Sequence, residues 1–444
     1  MPVTDLGICL PFVTPGPLSS ERIAGTRRTL YRGVLVLLAL AAASALHLLR
    51  QRGHGAWESL WAEDGSVFLT DAHRDFTGTV FALNGGYVHL VPRLIAGVVG
   101  LLSVDRAALA VSLSGSAVLA LLAAFVYAAS GQALRSRAAR LGLAAALLLL
   151  PIAGEELYAN LLNLHFYMVF ACFWALVWQA ETGGALAARS AIVVAVTLSD
   201  PLTVLLVPLV LVGPAMRRTS RAFVVPGVFL AGLAAQLLLM QSGELPQRNW
   251  AFHVSDLPEI FALRITGGLL VGDHFLGDLW LEYGHAFSYT ALGVVALVLA
   301  ALLLRADRRT AAFSLIAVLY AGLFFCVQMT GRGTSGIAPV TGSFHLHHAR
   351  YALLPFLFLV TALLALVDRG PPRPWLRGAA AVWLVALIAV NYQIGPNDRS
   401  SGPRWQPQLA EARARCTRRD DVARILVAPA PPKVWFAHLR CDLL

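Results

Sequence analysis

Charged residues are scarce in this chain of 444 residues: Asp, Glu, Lys and Arg make up 14% of it, whereas 57% is hydrophobic. The mean hydropathy of +0.67 excludes a soluble fold, because a water-soluble domain of this length needs a mixed polar surface. Lysine is almost missing, since Lys433 is the single lysine among the 35 Lys and Arg residues. The formal charge of +10 does not indicate nucleic acid, because the arginines occur in short runs between apolar segments. The composition therefore predicts an all-α polytopic membrane protein.

The apolar segments predict about eleven membrane-embedded helices, given that roughly 20 residues cross a bilayer. Segment 88–102 is too short to cross and contains Pro92 and Arg93, so we expect an interfacial or half-inserted helix there. Segment 191–212 admits either one span or two broken helices, and the positive-inside rule favours two. The predicted helices are 31–49, 107–130, 141–153, 164–178, 191–198, 202–212, 223–241, 289–304, 311–329, 351–367 and 378–394.

Arginine runs between the spans predict the topology. Residues 1–30 form a cytoplasmic tail, residues 31–394 a membrane domain with its first outer loop at 50–106, and residues 395–444 an extracytoplasmic C-terminal segment. With this arrangement each strong arginine cluster between spans lies on the cytoplasmic side, as the positive-inside rule requires. The expected location is the cell membrane, with the N-terminus inside and the C-terminus outside. The clusters are Arg135, Arg137 and Arg140; Arg217, Arg218 and Arg221; Arg305, Arg308 and Arg309; and Arg369, Arg373 and Arg377.

Cysteine is also sparse, with five in the chain. Cys416 and Cys441 are the two in the C-terminal segment, and an oxidising compartment would allow them to form a disulfide. The alternative is a pair of unlinked thiols. Cys9, Cys172 and Cys326 are expected to be reduced or buried.

An acidic pair, Glu63 and Asp64, follows Trp61 and precedes Gly65 in the first outer loop. Adjacent carboxylates repel each other, so one of the two can have a raised pKa suited to general-base catalysis. The alternative is an ordinary solvated pair on an exposed loop. Which of the two acids would be the base is left open by the sequence.

Further polar residues gather at the predicted outer face, where they can bind a substrate or a phosphate. Arg93 can bind a phosphate or extend towards lipid headgroups, Asp200 can bind substrate or cap the helix that follows, and Arg350 with Tyr351 can bind phosphate or anchor a span. The histidines near residue 347 lack the spacing of metal ligands, so we expect no metal site, although a divalent metal stays possible. The candidate substrate residues are Tyr87, His89, Glu155, Glu156, Asn160, Asn163, His165, Asp200 and His345, and the candidate phosphate residues are Arg93, His348, Arg350 and Tyr351.

The acidic pair, the Y-x-x-x-x-P-R-L motif that begins at Tyr87, and the Asp105-Arg106-Ala107 sequence that opens the next span resemble the GT-C superfamily of integral-membrane glycosyltransferases. The resemblance implies juxtamembrane helices in the first outer loop and a polyprenyl-phosphate-linked sugar as donor. It also implies a glycan, lipid or protein acceptor, and Asp64 as the base that deprotonates the acceptor, with Glu63 beside it. Arg350 and Tyr351 would then lie near the donor phosphate.

Two other classes of protein are compatible with the same residues. A transporter or flippase of a lipid-linked saccharide would use intramembrane polar residues as its path. A noncatalytic membrane scaffold would bind a partner through its outer tail and would tolerate the loss of Asp64. No cofactor is identified from the sequence, and the expected partners are membrane lipid, the sugar donor and the acceptor.

Overall fold

The computed structural model describes residues 20–444, apart from 52, 153, 155, 180–181, 218, 244–250, 341, 343, 345–349, 371–373 and 430–434. Helices dominate these residues. The α-helices are α1 (Ser20–Leu48), α2 (Thr70–Thr79), α3 (Leu90–Val99), α4 (Ala107–Ala129), α5 (Arg137–Leu148), α6 (Leu164–Val177), α7 (Gly183–Thr197), α8 (Val212–Met216), α9 (Val224–Met240), α10 (Leu257–Ile260), α11 (Gly268–Val271), α12 (Asp273–Tyr283), α13 (His285–Leu303), α14 (Arg308–Arg332), α15 (Arg350–Arg369), α16 (Pro374–Val390) and α17 (Trp405–Arg415). The strands are β1 (Leu83–Asn84), β2 (Tyr87–Val88), β3 (Val422–Val427) and β4 (Trp435–Arg440).

Six helical stretches in the described part of the chain are long and apolar enough to cross a membrane, which confirms the multi-pass membrane class. They are Leu30–Leu48, Val104–Gln132, Ser220–Met240, His285–Leu303, Arg308–Arg332 and Arg350–Arg369. Shorter apolar stretches are Leu90–Val99, Leu164–Val177, Gly183–Thr197, Pro201–Met216 and Pro374–Val390. The number of spans, about eleven, stays a prediction.

Two segments differ from the sequence-based expectation. The predicted helix 141–153 is α5, which already ends at Leu148, because Pro151 disfavours helical backbone in the residue before it. The stretch between the predicted helices 223–241 and 289–304, for which no helix is predicted, is largely helical from Leu257 to Tyr283 and includes a π-helix at Phe261–Gly267. This part of the chain therefore contains more helix than the sequence predicts.

The chain breaks between α7 and the 3-10 helix Pro201–Leu211, as the prediction of two broken helices requires. Asp200 caps the second helix, because its Oδ1 accepts a hydrogen bond of 2.7 Å from the amide of Leu202. Proline suits the first turn of a helix, because an amide N–H at that position would have no intrahelical acceptor and proline has no such N–H. The break leaves the side chain of Asp200 at the end of the bundle.

Two arginine-rich loops meet at one end of the bundle. Arg369 Nε donates to the carbonyl oxygen of Ala133 over 2.5 Å. Asp368 accepts from the amide of Ser136 at 3.1 Å, and Arg377 donates to the carbonyl oxygen of Asp368 at 2.8 Å. The loops after α4 and after α15 thus share one end, which we call the arginine end.

The C-terminal segment forms a small domain in which α17 packs against the antiparallel pair β3 and β4. Cys416 and Cys441 form a disulfide with a Cα–Cα distance of 5.7 Å, which confirms the predicted pairing. The segment also contacts the first outer loop, because Ala428 forms a parallel bridge with Trp61 and its amide donates to the carbonyl oxygen of Leu60 at 3.0 Å. The last part of the chain therefore packs directly on the loop that carries the acidic pair.

We expect replacement of both Cys416 and Cys441 by serine to destabilise the C-terminal domain by about 3 kcal/mol, because a 25-residue separation is released in the unfolded chain. Limited proteolysis of the purified protein should cut this domain much faster in the double variant. The matched control is Cys326→Ser, an exposed free cysteine, which should leave the proteolysis rate unchanged. Equal rates in all three proteins would show that the disulfide does not stabilise the domain.

The predicted topology can be tested by labelling single cysteines in intact cells, with Cys9 and Cys326 replaced by serine. Thr77 and Ala138 are both exposed and lie at opposite ends of the bundle. A membrane-impermeant maleimide should label Thr77→Cys strongly and Ala138→Cys only after the membrane is permeabilised. Labelling of Ala138→Cys alone would invert the orientation.

Candidate functional site

A polar cavity of about 440 Å³ lies at the end of the bundle opposite the arginine end. Arg350 opens α15 and borders the cavity, whereas Arg369, at the other end of that helix, belongs to the arginine end. A 20-residue helix separates the two by about 30 Å. The lining residues are Glu63, Asn84, Gly85, Gly86, Tyr87, His89, Leu162, Asn163, His165, Phe166, Asp200, Pro201, Leu202, Met240, Val327, Gln328, Gly331, Arg332, Arg350 and Tyr351.

The cavity is assembled where helices begin, end or break. The start of α6, the break at Asp200, the end of α14 and the start of α15 all contribute polar side chains. The hairpin of β1 and β2 adds Tyr87, and its turn uses Gly85 and Gly86 at φ 61° and 87°. These angles lie in the left-handed region that glycine adopts without steric cost. Residues distant in the chain thus line one space.

Of the two adjacent acids, Glu63 lines the cavity and Asp64 does not. Asp64 is fully buried, and its two carboxylate oxygens accept hydrogen bonds of 2.9 Å from the amides of Leu161 and Leu162. Burial raises the pKa of Asp64 to about 7, although the two amides and Arg399 act against that rise. The carboxylate oxygens of Asp64 therefore face backbone amides and not the cavity, so the geometry favours Glu63 as the candidate base, and the assignment of a base stays a prediction.

A hydrogen-bonded pair of His165 and Asp200 forms one wall of the cavity. The Nδ1 atom of His165 lies 2.7 Å from Oδ2 of Asp200, and both side chains are at most 5% exposed. Asp200 has the expected capping role through Oδ1, and its Oδ2 orients His165, whereas its binding of a substrate stays a prediction. A carboxylate that binds one imidazole nitrogen fixes the orientation of the ring.

Tyr87 and His89 form an aromatic wall next to this pair. The two rings are 4.3 Å apart, and the ring of His89 is 5.5 Å from that of His165. Burial, and in addition the neighbouring His165, holds the pKa of His89 well below its usual value. His89 is therefore neutral at physiological pH, and it lines the cavity.

Two guanidinium groups, Arg332 and Arg350, border the cavity. Arg350 Nη1 lies 3.6 Å from Oε2 of Glu156, and its guanidinium lies 5.1 Å from the ring centre of Tyr351. Arg332 and Arg350 bring two positive charges to a partly enclosed space that also contains Glu63 and Asp200. A guanidinium group can bind a phosphate through two parallel hydrogen bonds. Tyr351 lies at the cavity, as predicted, whereas His345, His348 and Glu155 lie outside the described residues.

Arg93 occupies a different place from the one predicted. Its Nη1 atom forms an ion pair of 3.0 Å with Oδ2 of Asp71, and the side chain is 3% exposed. It also lies over the ring of Phe68, 5.6 Å from its centre. Arg93 does not line the cavity, and its ion pair with Asp71 joins α3 to α2, so the geometry does not favour Arg93 as a ligand of the donor phosphate.

Two asparagines shape the turn that leads into α6. Asn160 accepts from the amide of Asn163 at 2.9 Å and donates to the carbonyl oxygen of Glu156 at 2.6 Å. Asn163 also donates to that oxygen, over 2.5 Å, and lines the cavity. Asn163 is thus placed to contact a substrate, whereas Asn160 holds the turn.

Arg332 and Gln328 are cavity residues that the sequence analysis did not select. Both lie near the end of α14, and Gln328 is 5% exposed and donates to the carbonyl oxygen of Phe324. A signal for Arg332 was present, because an arginine at the predicted outer end of a span departs from the positive-inside rule. Such an exception indicates a residue retained for a local purpose.

A second cavity, of about 270 Å³, lies between α13, α15 and α16 and is lined by aliphatic residues and Trp383. It offers no titratable side chain, so we assign no chemistry to it. Among the residues that the structure describes, no group of three or more His, Cys, Asp or Glu is placed to hold a metal ion.

Comparison with protein-family models, with curated proteins and with solved structures finds no match to this chain.

Proposed function

We propose that this protein is an inverting glycosyltransferase that takes a sugar from a polyprenyl-phosphate donor. The observation that carries this proposal is that the carboxylate of Glu63 and two guanidinium groups, Arg332 and Arg350, line a single cavity at one end of a membrane bundle. The transfer of a sugar from a phosphate requires a base for the acceptor and positive charge for the leaving group. The cavity supplies both.

In the proposed reaction the donor phosphate binds against Arg332 and Arg350 while the acceptor hydroxyl lies next to Glu63. Glu63 takes the hydroxyl proton as the oxygen attacks the anomeric carbon from the face opposite the phosphate. The bond between that carbon and the phosphate oxygen breaks, and its electron pair leaves with the polyprenyl phosphate. The configuration at the anomeric carbon is inverted, and no step needs a group that the cavity lacks.

The rest of the cavity suits a sugar. Asn163, neutral His89 and the His165–Asp200 pair provide donors and acceptors for hydroxyl groups, and Tyr87 provides a ring face. A few well-placed polar groups within an aromatic wall are typical of small-molecule sites. We propose that the acceptor is a glycan, a lipid or a protein that reaches this end of the bundle.

We also propose that the cavity faces the outside of the cell membrane, with the N-terminus in the cytoplasm. The arginine end then lies inside, in agreement with the positive-inside rule. The disulfide of the C-terminal domain supports this orientation, because disulfides persist in oxidising compartments. The labelling experiment with Thr77→Cys and Ala138→Cys tests it.

The proposed reaction can be tested with the purified full-length protein in nanodiscs and a panel of polyprenyl-phosphate sugars. The expected result is release of polyprenyl phosphate together with glycosylation of an acceptor from a membrane extract, and the anomeric configuration of the product should be opposite to that of the donor. In proteoliposomes, movement of an intact sugar lipid across the bilayer without cleavage would contradict the proposal and indicate a transporter.

A further inference from the structure

The turn formed by residues 158–162 leads into α6 and is bound by two side chains from opposite ends of the chain. On one side, Arg399 Nη1 donates to the carbonyl oxygens of Tyr158 and Ala159 over 2.6 Å and 3.2 Å. On the other side, Asp64 accepts from the amides of Leu161 and Leu162 at 2.9 Å each. Two carbonyl groups of this turn therefore accept hydrogen bonds from a guanidinium, and two of its amides donate to a carboxylate.

Arg399 binds a second segment at the same time. Its Nη2 atom donates to the carbonyl oxygens of Ala56 at 3.1 Å and Ser59 at 3.2 Å, and to the hydroxyl of Ser112 at 3.1 Å. The side chain is fully buried, although arginine is seldom buried unless its donors are satisfied. This one side chain thus joins the 158–162 turn to the start of the loop that carries Glu63.

Strained backbone lies within the 158–162 turn and also three residues after Ser59, the last residue of the second segment that Arg399 binds. Ala62, next to Glu63, has φ 32°, and Ala159 has φ 42°. A residue with a Cβ atom is disfavoured in this region because Cβ approaches a carbonyl oxygen. Such a conformation persists only when the surrounding structure holds it, and it is concentrated at functional sites. Here the hydrogen bonds of Arg399 and Asp64 hold the backbone. The amide of Ala62 also donates to the carbonyl oxygen of Ala428, in the C-terminal domain, over 2.5 Å.

We propose that Arg399 and Asp64 are positioning residues that clamp the strained turns on either side of the cavity, so that the C-terminal segment is part of the site. The inference rests on the proposed function in so far as Glu63 is the base. The clamp fixes the positions of Asn163 and His165 through the 158–162 turn. It fixes the position of Glu63 through residues 56–62. Neither Arg399 nor Asp64 touches the substrate.

The clamp can be tested by hydrogen–deuterium exchange of the purified full-length protein, which needs no activity. Arg399→Ala should speed exchange at least tenfold in peptides that cover residues 56–64 and 158–163 and leave α13 to α15 unchanged. The control is Arg404→Ala, since Arg404 is about half exposed and contacts His54. If Arg399→Ala does not fold, Arg399→Lys keeps the charge but lacks the planar fork, and it should show the same local increase. Wild-type exchange in the variant that folds would overturn the proposal.

Kinetics then separate positioning from a general loss of structure. We expect Arg399→Ala to lower kcat at least tenfold with little change in the donor KM, and added guanidinium chloride at millimolar concentration to restore much of the lost rate. Guanidinium should not restore Glu63→Gln. If the wild-type protein transfers no sugar, the proposed function is wrong, but the exchange result still tests the clamp. If Arg399→Ala turns over at the normal rate, only the clamp proposal is wrong.

Discussion

Glu63→Gln is expected to lower the turnover of sugar transfer by about 10²- to 10⁴-fold, which is the usual contribution of a general base. Glutamine has nearly the same shape and still lines the cavity, but its amide cannot accept the proton of the attacking hydroxyl. Donor binding depends on the guanidinium groups, so the donor KM should change little. The measurement is the initial rate of polyprenyl phosphate release, with the amount of folded protein determined by size-exclusion chromatography.

The matched control for this prediction is Glu58→Gln in the same loop. Glu58 is partly exposed, and its carboxylate accepts from the amide of Gly55 at 2.7 Å, so it caps a short helix and does not line the cavity. We expect this variant to transfer sugar at close to the wild-type rate. A Glu63→Gln protein that retains more than a tenth of the wild-type rate would exclude Glu63 as the base.

Arg350→Ala is expected to lower turnover by about 10²- to 10³-fold, because preorganised charge at the leaving group stabilises the transition state more than the ground state. The donor KM should also rise, since the same guanidinium attracts the phosphate before reaction. Arg350→Lys should recover part of the rate, because lysine supplies a charge without the bidentate fork. The affinity for polyprenyl phosphate alone should follow the same order as the rates, with the wild-type protein highest, Arg350→Lys next and Arg350→Ala lowest.

The control here is Arg305→Ala, in which an exposed arginine beyond the far end of α13 is removed. The net charge changes equally in both variants, so a general electrostatic effect would lower both rates. Since Arg350 lies 3.6 Å from Glu156, a Glu156→Gln/Arg350→Ala protein should also be assayed to remove the unbalanced acid. Wild-type product affinity in every Arg350 variant would exclude a role in phosphate binding.

The sequence predicted features that depend on composition and local pattern. Apolar length predicts membrane helices, the dipeptide Asp200-Pro201 predicts a helix start, and isolation of Cys416 and Cys441 in a polar tail predicts their pairing. Each of these inferences needs only the neighbours of a residue in the chain. The structure agrees with all three at the level of detail they allow.

The site was less predictable, because it depends on the direction of single side chains. Glu63 and Asp64 are adjacent, yet one lines the cavity and the other binds the backbone of a distant turn. The positive φ of Ala62 bends the chain immediately before the pair, and alanine carries no signal for such a conformation. Arg399 was missed for a related reason, since its partners lie in three separate parts of the sequence.

The bridge between Trp61 and Ala428 has a consequence for how the protein is made. A ribosome synthesises the acid-bearing loop before the helices α4 to α16, and it reaches Arg399 and Ala428 only after them. Until then the strained alanine next to Glu63 lacks the backbone partner that holds it. A nascent chain that has not yet reached Ala428 can thus insert its helices into the bilayer before the loop that carries Glu63 has the backbone contact that holds it.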